Sequence, residues 1–313
     1  MSEMRSLRVA FLGNDAWSVP SLGALARSRH LVVAVVTAEP KPAGRGNRLT
    51  PTPVAAASAR LGLPLVETST VKTGGGFKRL SMSAPDVLAV VAYGEILPPV
   101  VLNIPAVAPV NLHFSLLPKL RGAAPVQTAL LAGMTQTGVT TILMDAGLDS
   151  GPVILQRRVE IEPDDDAGSL GARLAEIGAD LLVDTIDMLS AGPIAPIPQD
   201  EQLVSLAPKL YPGDRMLDWA NPAIVLVNLV RALSPEPAAT TVLRGEGLKI
   251  LRAEAVEGAG EPGTIVEVSK RGFVIATEDG GFRPVRLAPA GRRVMSAEDF
   301  VNGHRPKLGE RLG

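Results

Sequence analysis

The sequence predicts a two-domain α/β protein: a Rossmann-like parallel-sheet domain over 1–192, a linker over 193–211 and a smaller OB-like β-barrel over 212–313. Three observations predict it. Apolar β-branched runs alternate with helix-like stretches through residues 7–189, the pattern of strands buried on both faces of a parallel sheet. Prolines then cluster at 193, 196, 198, 208 and 212, too densely for regular structure. Beyond them, short strands are punctuated by turn sequences, as in a small antiparallel barrel.

Each element has a local reason. LRVAFLG (7–13), LVVAVVT (31–37), DVLAVVAYG (86–94), APVNLHF (108–114) and GVTTILMD (138–145) are strand-like apolar runs. Helical stretches separate them at 19–28, 52–62 and 124–133, while the triple glycine at 74–76 reads as a flexible connection. VILQRRVEI (153–161) alternates apolar and polar residues, which predicts a strand with one wet face. SLGARLAEIGADLLVDTIDML (169–189) repeats apolar residues at helical spacing. The acidic PDDDAG before it (163–168) reads as a helix entry. In the second domain PAIVLVNLVRAL (222–233) predicts one helix, and RGEG, SKRG and EDGG predict hairpin turns. Ser296 with Asp299 predicts a capped terminal helix.

Composition removes several function classes. With 46% hydrophobic and 20% charged residues and a net charge of −1, the chain is an ordinary globular protein and no general nucleic-acid coat. Aromatics make up only 3%, so a surface of many base-stacking rings is excluded. Cysteine is absent, which excludes disulfides and thiolate metal sites and fits a reducing cytoplasm. No signal peptide and no apolar run of about 18 residues is visible, so a cytoplasmic protein without membrane contact is expected. The three histidines are widely spaced and make no usual zinc set, so no metal is expected. The Gly-rich dinucleotide fingerprint, the P-loop and the G-x-S-x-G elbow are all missing.

One strand carries chemistry. Asn111 and His113 are two apart at the carboxyl end of the 108–114 run, where open α/β sheets place reactive groups. Side chains two apart on a strand share a face, so an amide and an imidazole can converge on an oxygen that gains negative charge. A carboxylate is the natural third member, orienting the ring. MDAGLDSG (144–151) offers Asp145 and Asp149 in a glycine-marked loop. Spacing alone leaves a second reading open, a satisfied core histidine beside capping aspartates.

These residues belong to a longer pattern. NLHFSLLPKLRGAAPVQ (111–127) with MDAGLDSGPV (144–153) resembles the methionyl-tRNA formyltransferases, as do KPAGRGNRLTPTPV (41–54), VVAYGEILP (90–98) and PAGRRVMSAEDFVNG (289–303). The resemblance implies a transferase that moves the formyl group of 10-formyltetrahydrofolate to the α-amine of methionyl initiator tRNA, with no metal and no obligate protein partner. It implies Asn111, His113 and Asp149 as catalytic residues. It implies folate contact by Tyr93, Gly94, Ile96 and Leu97, by Ser115, Leu116, Leu117 and Pro118, and by Asp145. Lys41, Arg45 and Arg48 on a glycine- and proline-rich loop are implied to meet the tRNA acceptor end. Arg283, Arg286, Arg292 and Arg293, in a stretch without one acid, suit phosphates.

The Asn-x-His and Asp core alone is shared with glycinamide ribonucleotide and sugar-nucleotide formyltransferases and with formyltetrahydrofolate hydrolases. Another acceptor, or a non-catalytic RNA-binding scaffold, is therefore the alternative. Three segments depart from the family's usual pattern: FLGND at the end of the first strand, Glu39-Pro40 before the basic loop, and SPEPAA at 234–239.

Overall fold

A computed structural model of the chain describes residues 5–43 and 48–313. It divides into two compact units, one of residues 1–125, 136–160 and 171–207, the other of residues 126–135, 161–170 and 208–313.

The first unit is built on strands β1 (Arg8–Gly13), β2 (Leu31–Thr37), β5 (Leu65–Glu67), β6 (Val87–Val91), β7 (Ala108–His113), β8 (Gln136–Leu143) and β9 (Val153–Glu160), with a separate hairpin of β3 (Lys41–Ala43) and β4 (Arg48–Thr50). The seven-stranded sheet has the order β5-β2-β1-β6-β7-β8-β9. The first five of these strands are parallel. The central β6 is buried at all five positions, which is why it reads as a continuous apolar run. Strands β8 and β9 run antiparallel to their neighbours, a departure from the uniform parallel sheet expected. Apolar runs report burial and not direction, so the reversal has no local signal. β9 lies at the edge, with Gln156, Arg157 and Arg158 exposed.

Helices α1 (Val19–Arg27), α2 (Pro53–Leu61), α3 (Gly74–Met82), α4 (Pro99–Leu102) and α6 (Ala167–Ala191) from residue 171 onward belong to this unit, while α5 (Pro125–Leu131) falls almost wholly in the second. α3 corrects the expectation of a flexible connection, because the triple glycine opens a helix. A Cβ on Gly76 would collide with the Thr70 carbonyl and the Thr68 side chain, so the glycine serves close packing. One core layer joins Leu12, Val36, Leu88 and Val90 to Leu80 of α3 and Val101 of α4. On α6, a Cβ at Gly178 would stand 2.8 Å from Leu112 of β7, and one at Gly171 would run into the Trp17 ring. Gly178 lets α6 approach the strand that carries Asn111 and His113, and Gly171 makes room for the Trp17 ring.

In the second unit a sheet of β10 (Ala239–Leu243), β11 (Glu246–Val256), β14 (Gly281–Pro289), β13 (Gly272–Ala276) and β12 (Ile265–Ser269) is wholly antiparallel, with β15 (Met295–Ser296) paired to β14. Its two edges are stitched together by the chain terminus. Leu312 bridges Leu243, and Arg311 bridges Thr264, so the sheet closes into a barrel as expected. Helix α7 (Ala223–Leu233) and helix α8 (Ala297–His304) cover a core of Trp219, Leu226, Ile250, Phe273, Phe282 and Phe300. The predicted cap is present: the Ser296 hydroxyl accepts from Asp299 N at 3.1 Å and donates to its carboxylate at 2.8 Å.

Candidate active site

Asn111 and His113 end β7, and Leu112 between them faces the other way into the core at 2% exposure. The i, i+2 spacing therefore does what a pleated strand requires. The loop from Met144 to Pro152 returns to the strand end and delivers Asp149. Its carboxylate is shared three ways. Oδ1 accepts from Asn111 Nδ2 at 3.2 Å. Oδ2 accepts from Gly122 N at 3.0 Å and lies 3.6 Å from His113 Nδ1.

The other nitrogen of the ring is committed. His113 Nε2 stands 2.8 Å from the carbonyl oxygen of Leu120. A carbonyl only accepts, so Nε2 carries the hydrogen there. Nδ1, facing Asp149, is the nitrogen left to take up or release a proton. With His113 buried and Asp149 half-buried, the pair is poorly screened by water.

Asp145, the other acid of the loop, is used differently. It accepts from Gly147 N at 2.9 Å and from the Ser150 hydroxyl at 2.8 and 3.1 Å, bonds that shape the turn. Asp149 itself has φ of 50°, a left-handed conformation that aspartate, like asparagine, enters more readily than most residues other than glycine. Its carbonyl accepts from Gln199 Nε2 at 2.7 Å.

The residues expected to meet folate divide by exposure. Gly94 and Ile96, just past the carboxyl end of β6, are exposed, as is Asp145. Leu116 and Pro118 are half-buried, while Leu97 and Leu117 are buried. The Ser115 hydroxyl is fully buried and donates to Lys119 O at 2.6 Å. Thr140 accepts from Leu117 N at 3.2 Å and donates to Ser115 O at 2.6 Å, which fixes the 115–118 turn. Tyr93 is buried, and burial first, then the Glu95 carboxylate beside it, push its phenol far above the ordinary value. Glu95 in turn holds the Thr70 hydroxyl at 2.6 Å and Lys72 at 3.5 Å.

Of the basic loop, Lys41 and Arg48 are exposed on the β3–β4 hairpin. Lys41 is paired with Thr50, and Thr50 shares a face with Arg48 two residues away, so both cations lie on one side. Arg45 lies outside the described residues. In the second unit Arg286, Arg292 and Arg293 are exposed and Arg283 half-exposed. Residues 283 and 286 would point to opposite faces of a regular strand. The irregular register of β14 against β11 lets Phe282 and Leu287 both face the core and leaves the two arginines outside.

Sequence reasoning missed Asn14, Leu120, Gly122 and Gln199. Asn14 belongs to one of the departing segments. Its amide donates to Tyr93 O, and its oxygen accepts from Thr37 Oγ1 at 3.0 Å and Ala38 N at 2.8 Å. It thus joins the ends of β1, β2 and β6 beside the switch in strand order.

Residues 7–186 match the formyl transferase family and residues 209–305 the formyl transferase C-terminal domain family. A methionyl-tRNA formyltransferase from Methylobacterium sp. is 42% identical over 311 residues, covering 98% of this chain and 99% of its own. One from Acidithiobacillus ferrooxidans is 41% identical over 308 residues, covering 98% of each. The chain belongs to the methionyl-tRNA formyltransferase family. It is thereby an enzyme, a transferase. The fold is shared with HypX from Aquifex aeolicus, solved in complex with tetrahydrofolic acid, at a TM-score of 0.66 and 16% identity. That match covers 97% of this chain and spans about half of HypX, 48% of its length. Among the described residues no helix is long and apolar enough to cross a membrane.

Proposed function

We propose that this formyltransferase moves the formyl group of 10-formyltetrahydrofolate to the α-amine of methionyl initiator tRNA in the cytoplasm, with Asn111, His113 and Asp149 as its catalytic residues. The observation that carries the reading is the convergence of Asn111 Nδ2, Gly122 N and His113 Nδ1 on one Asp149 carboxylate.

The α-amine has an ordinary pKa of about 8 and needs little deprotonation before it attacks the formyl carbon. The new N–C bond turns the carbonyl oxygen into an oxyanion. Asn111 Nδ2 has two hydrogens, one spent on Asp149, so the second is free to donate to that oxygen. His113, protonated at Nδ1, is the second donor. As the C–N10 bond of the folate breaks, the proton lost by the amine is passed to N10, with Asp149 aiding the transfer. Fixed neutral and charged donors at a buried site stabilise such an oxyanion more than water does. No step requires a metal.

Folate would lie along the strand ends of β6 and β7, meeting Gly94, Ile96 and the neighbouring Tyr93 and Leu97 segment, the 115–118 turn and the Asp145 loop. The exposed Lys41 and Arg48, with Arg45 between them in sequence, would meet the tRNA acceptor end. Arg283, Arg286, Arg292 and Arg293 would meet phosphates elsewhere on the tRNA. The test is direct: the protein is mixed with 10-formyltetrahydrofolate and charged initiator tRNA, and formylmethionine is measured. Its appearance on the tRNA is the expected result. Formate release without formylmethionine would redirect the acceptor to water.

A further inference from the structure

The segment after α6, proline-rich and linker-like in sequence, is tied to the catalytic strand end within the first unit. Arg121 forms the centre of the tie. Its backbone N donates to Ser205 O at 2.9 Å, and its carbonyl accepts from Ala207 N at 2.7 Å. Leu120 N donates to the Ser205 hydroxyl at 3.0 Å. The same short stretch supplies the Leu120 carbonyl to His113 and the Gly122 N–H to Asp149. A residue that orients the histidine and one that orients the carboxylate are therefore docked on 205–207.

A side-chain relay runs beside this backbone tie. The Arg121 guanidinium is 6% exposed as a residue and forks onto Glu201 at 2.8 and 3.3 Å, while its Nε donates to Gln199 Oε1 at 3.0 Å. That bond fixes which way the Gln199 amide faces. Its nitrogen then points at the Asp149 loop and donates to two carbonyls, Asp149 O and Gly151 O, each at 2.7 Å. An amide nitrogen has two hydrogens, so one side chain spans the residue in the left-handed conformation and its neighbour but one. A carboxylate could not replace it, having only acceptors to offer.

We propose that Gln199, oriented by Arg121, is a positioning residue that holds the Asp149 backbone so that its carboxylate meets Asn111 and His113. The hydrogen bonds of the Gln199 and Arg121 side chains go to each other, to Glu201 and to the loop backbone, so the action is through the loop. The inference rests on the catalytic reading of Asp149. A shift of about 1 Å in a group that sets reaction geometry costs up to about 100-fold in rate.

The sharpest variant is Gln199→Glu. It keeps size and the acceptor for Arg121 but loses both donors to the loop. Gln199→Met, which removes the polar contacts altogether, is the second variant. Single-turnover formylation, KM for each substrate and melting temperature are measured for both, alone and combined with Asp149→Asn. The expected result is a rate lower by about 10- to 100-fold with both KM values little changed. In the Asp149→Asn background the same Gln199 changes should lower the rate by no more than about twofold, because residues acting as a unit are non-additive. A full multiplicative loss in that background, or a normal rate in Gln199→Glu, overturns the positioning role. If Asp149→Asn alone turns over normally, the catalytic reading fails instead, and the two failures are distinguished. Should Gln199→Met fail to fold, Gln199→Glu with Arg121→Lys carries the test, since Arg121→Lys removes the planar fork while keeping the cation.

Discussion

The first unit buries two histidines beside aspartates, at opposite ends of the same sheet, and uses them differently. His30 precedes β2, near the amino ends of the strands. Its Nδ1 accepts from Leu7 N at 3.2 Å, and its Nε2 stands 3.1 Å from Asp187 on α6. Both nitrogens are committed to direct partners, so the ring is a bolt between β1, β2 and α6. His113, at the carboxyl end of β7, is equally buried at 5% exposure. Only its Nε2 is committed, to a backbone carbonyl, while Nδ1 sits 3.6 Å from Asp149, beyond normal hydrogen-bond length. Burial and a nearby carboxylate are common to both rings. What differs is the second nitrogen, held at 3.1 Å by Asp187 in His30 and standing 3.6 Å from Asp149 in His113.

Substitutions at the two ends should separate rate from stability. The largest effect expected is on His113. His113→Ala, like Asn111→Ala, should lower turnover on the order of 10²–10³-fold while tRNA affinity stays near normal. Measured by single-turnover formylation and by filter binding, near-normal turnover in either variant would remove the oxyanion role.

His30→Leu should do the reverse. It leaves the Leu7 N–H buried without its acceptor, a loss of about 1–3 kcal/mol in unfolding free energy. Turnover below the melting transition should stay within about twofold. Denaturant titration and a rate assay on the same preparation make the check, and a large loss of rate with intact stability would dissolve the contrast.

The smallest effect expected is on pH dependence. Burial holds the His30 pKa below its ordinary 6.5, against a smaller opposing pull from Asp187. A second ring proton would also displace the Leu7 bond. The folded state thus resists a proton that the unfolded chain takes up. The His30 contribution is full above about pH 6.5 and declines as pH falls through that value toward the lowered folded pKa. Melting temperature followed from about pH 7.5 to pH 5 should drop more steeply in the wild type than in His30→Leu. Parallel profiles would mean that His30 titrates alike in both states.

Local chemistry made much of this molecule legible. The strand 108–113 could be read with its two polar residues on one face, because a pleat alternates side chains whatever surrounds it. The hairpin turns and the Ser296 cap were readable for the same reason, since their causes span only a few residues. The family resemblance rested on contiguous segments around Asn111, His113 and Asp149. Tertiary structure decided the rest. The reversal of β8 and the reach of Asp149 to Asn111 and Gly122 depend on partners brought from elsewhere in the chain, whereas Asp145 keeps to its own turn. Asp149 reaches Asn111 from 38 residues away and Gly122 from 27. Arg121 finds Gln199 across 78 residues and Glu201 across 80. No periodicity in 193–211 announces those bonds, because prolines suppress regular structure there without saying what the freed polar groups will meet. That choice belongs to the folded chain, in which the loop carbonyls of Asp149 and Gly151 need donors.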